Sequence, residues 1–302
     1  FMDNNSVVAF YSLSDPDGTD ILNSSSALYN LSSGRLGGYG FASVLIPHTP
    51  NFSAKAGTWT FKNYANDRVK LSLRTGATPS AATITVQPYI TGTTWSANDI
   101  ASALSVMSNI YNKNGITLSL KDPITISESQ YATVSSSFTD SITSALVSQG
   151  SKDTVNLFFV EDQPSNEIAL LGVSAGLPGT MGISSSWNGV INYLSAHATG
   201  STLNNQLLGE TAAHEMGHWL GLFHTTEANG TSFDPLSDTA QCVISRDSDS
   251  NGKVYPEECE GYGADNLMFW TAWLSSSQAA GKKQEDLSSE QQYVLKYSPI
   301  AR

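Results

Sequence analysis

HEMGHWLGLFH, His214 to His224, holds three of the five histidines in the 302-residue chain. His214 and His218 are four apart, so on a helix they sit one turn apart on one face and two imidazoles reach the same metal ion. Glu215 lies beside them and is placed to hold a water on that ion. Glycine reaches backbone conformations closed to other residues. At Gly221 the helix is therefore expected to stop and the chain to turn sharply, so that His224 swings back as a third ligand. The competing reading is a buried helix whose histidines are ordinary polar core residues. One histidine would favour it; three histidines, a glutamate and a glycine in register do not. His48 and His197 have no such neighbours and read as ordinary polar residues.

Zinc in a catalytic site takes three protein ligands and keeps one position for water. His214, His218 and His224 supply the three, in the HExxH arrangement. The metal lowers the pKa of that water, and Glu215, as general base and then general acid, takes its proton while a carbonyl is attacked.

The extended pattern HExxHxxGxxH resembles the signature of the metzincin zinc endopeptidases. Members of that family have a methionine in a tight turn beneath the zinc, and DNLMFW (Asp265 to Trp270) offers Met268 at a suitable distance. The wording HWLGLFHT, with Thr225 after the third histidine, and the stretch SDTAQC (Ser237 to Cys242) are most similar to the pappalysin group. The resemblance covers roughly Thr83 to Arg302. It implies a zinc endopeptidase with an α+β catalytic domain: a twisted mixed sheet, an active-site helix and a C-terminal helical subdomain. By chain order it makes GVSAGLPGTMGI (Gly172 to Ile183) the upper rim, against which a peptide would lie extended by β-strand addition. Trp270 departs from the family pattern, because many metzincins carry a tyrosine there. Either another group polarises the carbonyl, with Tyr255 and Tyr262 nearby in sequence, or zinc and Glu215 suffice. Glu227, Asp234, Asp238 and Thr239 are candidate oxygens for a structural calcium in pappalysin-like enzymes; a plain surface loop is the favoured reading of these four.

DSDSNGKVYPEE (Asp247 to Glu258) matches the loop template of a hard-cation site. Asp247, Asp249 and Asn251 fill positions one, three and five, Gly252 is at six, Lys253 offers its carbonyl at seven, and Glu258 is at twelve. Calcium is the expected ion, with a solvated acidic turn as the alternative. Pro256 disfavours flanking helices. Cys242 and Cys259 bracket the loop and form a candidate disulfide.

Away from these motifs, the first 80 residues read as short strands broken by turns at DPDG (Asp15 to Gly18) and SGRLGGYG (Ser33 to Gly40). GTWTFKN (Gly57 to Asn63) and RVKLSLRTG (Arg68 to Gly76) alternate apolar and polar residues as half-buried strands do. A small β-sandwich accessory domain over residues 1–80 is expected, loosely similar to those that accompany secreted bacterial peptidases. ATPSAA (Ala77 to Ala82) is the expected joint to a catalytic domain over 81–302. There, strands are expected at Thr83–Ile90, Ile116–Leu120, Thr154–Asp162 and Gly189–Leu194. A helix capped by Ser96 and Asp99 follows the first strand, and LSSEQQYVLKY (Leu287 to Tyr297) opens with a second capping box, Ser288 and Gln291.

The formal charge is -12, with 15 Lys and Arg against 27 Asp and Glu, which speaks against nucleic acid as a partner. No apolar run approaches a membrane span. FMDNNSVV at the start lacks the form of a signal peptide. The composition suits an exported protein. The reading is a secreted endopeptidase acting on protein or peptide substrates. Two rivals stand beside it: a zinc-binding, catalytically inactive binding module of the same fold, and hydrolysis of a non-peptide amide. Cleavage preference and oligomeric state are not legible in the residues.

Overall fold

The computed structural model describes residues 2–23, 37–63, 71–74, 76 and 79–302. Its centre is a six-stranded mixed sheet. The strands are β4 (Ala82–Thr91), β5 (Ile116–Leu120), β6 (Ile124–Ile126), β7 (Val155–Val160), β8 (Gly172–Ser174) and β9 (Val190–Tyr193). β5, β4, β7, β9 and β8 lie side by side in that order, and β6 pairs with β4. All pairs are parallel except β8 on β9. β7 is buried at every position, as a central parallel strand covered on both faces must be.

Helix α1 (Ala97–Lys113) follows β4 and returns the chain to β5. Its Ser96 and Asp99 form a capping box, and Asn114 and Gly115 end it, the latter at φ +72°. Ile100, Leu104, Met107 and Tyr111 are buried, as their spacing predicts. After α2 (Ser141–Val147) and the remaining strands, including the short hairpin β10 (Ala198–Thr199) and β11 (Thr202–Leu203), the chain enters α3 (Asn205–Leu220), which carries the histidines. α3 packs on α1 at close range: a Cβ on Gly209 would come within 2.6 Å of the Ala103 carbonyl. The Tyr111 hydroxyl donates to the Ala213 carbonyl at 2.9 Å and locks the pair. Leu208, Ala212, Met216, Trp219 and Leu220 fill the interface between helix and sheet. Most of the stability of α3 comes from that burial, at roughly 25 cal/mol per Å2 of apolar surface.

Beyond α3 the chain has little regular structure until α4 (Ser275–Ala279) and α5 (Ser289–Tyr297), the latter opened by the predicted Ser288–Gln291 capping box. A small separate core holds this region together. It is built on the buried Cys242–Cys259 disulfide with Val254, Ala264, Phe269 and Trp273. In a loop-rich segment with so few apolar residues, a crosslink of that span contributes on the order of 3 kcal/mol.

The N-terminal residues depart from expectation. Among the described residues they form one antiparallel sheet of β2 (Gly37–Ala42), β1 (Met2–Ser14) and β3 (Thr60–Asn63), in that order. The second sheet of a sandwich is not seen among the described residues. DPDG does turn: the Asp15 carboxylate accepts the Asp17 and Thr19 N–H groups. SGRLGGYG was read as a turn signal between strands; from Gly37 it is strand, and residues 33–36 lie outside the described residues. Of the strand expected at 68–76, residues 68–70 and 75 also lie outside them, and 71–74 pair with no strand among the described residues. The segment before the joint also makes contacts with the catalytic fold. Ser43, His48 and Phe52 are buried, and the Asn51 amide donates to Ser237 and to Glu290 at the start of α5.

Candidate metal centre and catalytic cleft

α3 ends where glycine allows it to. Gly221 sits at φ +113° and ψ 10°, and its N–H closes the last turn. The chain then doubles back, and His224 faces His214 and His218. The His224 Nε2 lies 3.3 Å from the Nε2 of His214 and 3.0 Å from that of His218. These separations match three nitrogens about 2 Å from one tetrahedral zinc ion.

The tautomers follow from the partners on the other side of each ring. His214 Nδ1 donates to the Leu267 carbonyl and His218 Nδ1 to the Leu222 carbonyl, both at 2.7 Å. His224 Nδ1 donates to the Glu227 carboxylate at 3.0 Å. In the tautomers these partners select, the Nδ1–H of each ring is spent there and the three Nε2 atoms converge on one point. Lone pairs cannot hydrogen-bond to one another. Burial and the neighbouring imidazoles hold His214 down to about 3 and His218 well below its ordinary value, so neither protonates at neutral pH to relieve the clash. The donor set fits a cation such as zinc.

The Glu215 side chain lies against β8, and burial pushes its carboxyl up to about 8, with the Ser174 backbone acting in the opposite sense. A Cβ on Gly172 would come within 2.9 Å of Glu215 Cγ, so the glycine makes room for this side chain. Below the centre, Met268 is fully buried, with its sulfur 2.6 Å from where a Gly217 Cβ would sit. The methionine turn is tied to the ligands through its backbone: Leu267 O takes the His214 bond, and Met268 O accepts the Thr225 N–H at 2.9 Å.

A cavity of about 630 Å3 opens over these groups. Its upper wall is β8 and the loop after it, through Gly176 and Leu177; its lower wall is Phe269, Trp270, Thr271 and Ala272. Among the described residues β8 is an edge strand of the sheet, paired only with β9. Leu171 and Ala175 bond to β9, so Gly172 and Ser174 between them turn their backbone groups toward the open side.

The chain matches the metallo-peptidase family M12 (Reprolysin_5) over residues 53–268, most of its length. It belongs to metallo-peptidase family M12. That match begins well before residue 81, where the catalytic domain was expected to start.

Among curated relatives of this M12 chain, an extracellular metalloprotease of Colletotrichum graminicola is 38% identical over 112 residues, 33% of this chain and 38% of that protein. An extracellular metalloprotease of Pyricularia oryzae is 28% identical over 191 residues, 58% of this chain and 65% of that protein. The chain thus spans less than two thirds of the length of either. Among solved structures, archaemetzincin from Methanopyrus kandleri aligns with a TM-score of 0.38 at 11% identity, covering 73% of this chain and 97% of that one. Myroilysin aligns with a TM-score of 0.33 at 12% identity, covering 73% and 94%.

The second cluster of the M12 chain is also assembled. Carboxylate oxygens of Asp247, Asp249 and Glu258 lie within 4.8 Å of one another. They are drawn in by the loop's own donors: Asp247 accepts from Asn251 and Gly252 N–H, and Glu258 from Ser248 and Tyr255 N–H. Asn251 turns its amide oxygen to the Lys253 N–H. Short 3-10 turns, Ile244–Arg246 and Pro256–Glu258, flank the loop in place of a helix pair. Trp270 lines the cavity, and its indole N–H is already given to the Val254 carbonyl at 2.6 Å. Neither Tyr255 nor Tyr262 lines that cavity; Tyr262 lies under the Arg246 guanidinium.

Several residues carry more than the sequence reading gave them. Glu227 was weighed as a calcium ligand or a surface residue, but its carboxylate holds His224 instead; a carboxylate three residues beyond the last ligand was the available signal. His197 is buried and links Tyr193 O of β9 to the Thr211 hydroxyl of α3. His48 is buried at the end of α3, far from it in sequence.

Asp234 is buried, with one oxygen on the Thr239 hydroxyl. Burial, together with the charges of Asp238 and Glu290, pushes its carboxyl up to about 7. A folded-state value above the unfolded one favours the fold fully at low pH, and the benefit is lost as pH rises from about 4 to about 7. In chelator, Asp234→Asn should match the parent's stability near pH 4 and exceed it at pH 8 by roughly 4 kcal/mol, about three pH units at about 1.4 kcal/mol each. Denaturant unfolding at the two pH values measures the difference.

Proposed function

We infer that the chain is a secreted zinc endopeptidase in which His214, His218 and His224 hold the metal and Glu215 is the general base and acid. The observation that carries this reading is the convergence of three bare Nε2 atoms, each fixed by an outward N–H, beside a carboxylate that ligates nothing. Zinc held by these three histidines would supply an acidified water and a Lewis acid for a carbonyl oxygen. A substrate segment adds as a further strand to the open edge of β8, which sets its scissile carbonyl over the histidines. Glu215 removes the water's proton and then delivers it to the leaving amine. Met268 and Gly221 serve as structural supports. The indole N–H of Trp270 is already engaged with the Val254 carbonyl, so Trp270 offers no donor to the scissile carbonyl. Extracellular action is supported by the names of the relatives, and among the described residues no helix is long and apolar enough to cross a membrane.

The pappalysin-like wording after His224 supports that subgroup. Residues 1–80 are read as an accessory region and 81–302 as the catalytic domain. The loop Asp247–Glu258 is read as a calcium site, supported by its converging carboxylates. Adding calcium to the zinc-loaded chain should slow cleavage of that loop by an added protease; equal rates with and without calcium would end that assignment.

The test of the main reading is zinc content by elemental analysis alongside cleavage of an unfolded protein, before and after chelation and zinc return. One zinc per chain with activity lost and restored supports it. One zinc with no cleavage points to the binding module, and no zinc removes the reading.

A further inference from the structure

The segment Ser43–His48 comes from the region before the joint, yet it is packed against the end of the metal helix. The Ser43 hydroxyl donates to the Leu177 carbonyl at 3.2 Å, and Leu177 lines the cleft. Leu45 occupies the space above Gly221, with its Cδ2 2.5 Å from where a Gly221 Cβ would lie. His48 is 1% exposed, meets the Phe223 ring edge-on at 4.8 Å, and places its Nε2 2.5 Å from the Gly221 carbonyl. Its Nδ1 has no partner among the described residues. A carbonyl only accepts, so the single ring N–H is on Nε2 and is donated to Gly221.

That bond falls at a decisive place. The peptide between Gly221 and Leu222 is held at both ends, its carbonyl by His48 and its N–H by Gly217 O at 2.9 Å. The next carbonyl, of Leu222, accepts from His218 Nδ1. These holds fix the path of the chain from the end of α3 to His224. One of them comes from outside the helix–turn unit altogether.

We propose that His48 is a positioning residue for the metal centre: its N–H to the Gly221 carbonyl sets the turn that delivers His224, so the Ser43–His48 segment completes the site. This rests on the histidine cluster being a metal site, as inferred above. A buried carbonyl left without its donor would draw the turn toward another partner. His224 would then shift against two ligands that the helix holds still. Outer groups that orient ligands typically change metal affinity 10- to 100-fold.

The test uses the full chain and three variants, His48→Ala, His48→Phe and His48→Gln. Zinc affinity is measured by chelator competition, the absorption spectrum is recorded with cobalt(II) in place of zinc, and circular dichroism reports the fold. The phenylalanine keeps the packing on Phe223 and removes the donor, whereas the glutamine keeps an N–H at similar reach. The expected result is folded His48→Phe and His48→Ala chains that bind zinc at least about tenfold more weakly with an altered cobalt spectrum, and a His48→Gln chain close to the parent. Parent-like affinity and spectrum in His48→Phe overturn the proposal, as does a folded His48→Gln that binds no better than His48→Phe. A parent chain that binds no zinc removes the metal reading and this proposal together; a parent that binds zinc, with variants that bind it equally, removes this proposal alone.

Discussion

Glu215→Gln is expected to lower kcat on a peptide substrate by about a thousandfold, within the 10²- to 10⁴-fold range for a positioned general base, while zinc content stays at the parent's level. The separation of effects follows from geometry. Glu215 lies beside the three histidines with its side chain against Gly172 of β8. Glutamine has the same shape, so neither the edge strand nor the histidines should move. What is lost is the ability to accept a proton. In the metal-free protein burial pushes the Glu215 carboxyl up to about 8, and a cation at the histidines favours its ionised form and pulls it down. A general base works ionised, so kcat/KM in the parent should rise with pH through that lowered value. The acid limb belonging to Glu215 should disappear in the variant. Zinc analysis and a pH–rate profile measure both. A variant with full zinc and near-parental kcat would show that proton transfer uses another group.

Much of this centre was legible because its parts are local in sequence. The i, i+4 histidines, the glycine and the returning histidine lie within one short stretch, and each has a single physical use there. The strands β4, β5, β7 and β9 were legible for a similar reason, as short apolar runs bounded by turn residues. Met268 was reachable only through resemblance, since a buried methionine has no local signature; its place under Gly217 is a tertiary fact. His48 was misjudged for the opposite reason. Its partner is the Gly221 carbonyl, 173 residues away, and a backbone acceptor leaves no mark on the sequence. Glu227 was read by preference as a plain surface residue, because nothing local in sequence shows that its carboxylate meets the His224 ring. The N-terminal region was the least legible: alternation identifies a strand but does not say which sheet receives it.

Gly221→Ala should weaken zinc binding by about a hundredfold, at the upper end of the usual effect of disturbing groups that orient ligands. Two costs coincide at this position. The backbone lies at φ +113°, which side chains of L-residues rarely adopt. In addition, the new methyl would meet Leu45 Cδ2 at 2.5 Å, well inside van der Waals contact. The chain can relieve the first by turning the Gly221 peptide, but that swings its carbonyl away from His48 and moves the Leu222 carbonyl that steadies His218. It can relieve the second by displacing Leu45, which loosens the same segment. Either route reaches His224. A companion Leu45→Ala change makes room for the methyl without changing φ, so the double variant should recover only part of the lost affinity. Full recovery would mean that the contact with Leu45, and not the backbone conformation, is what requires glycine here. No recovery would place the whole requirement on the backbone, with the turn into His224 set by conformation before any packing acts on it.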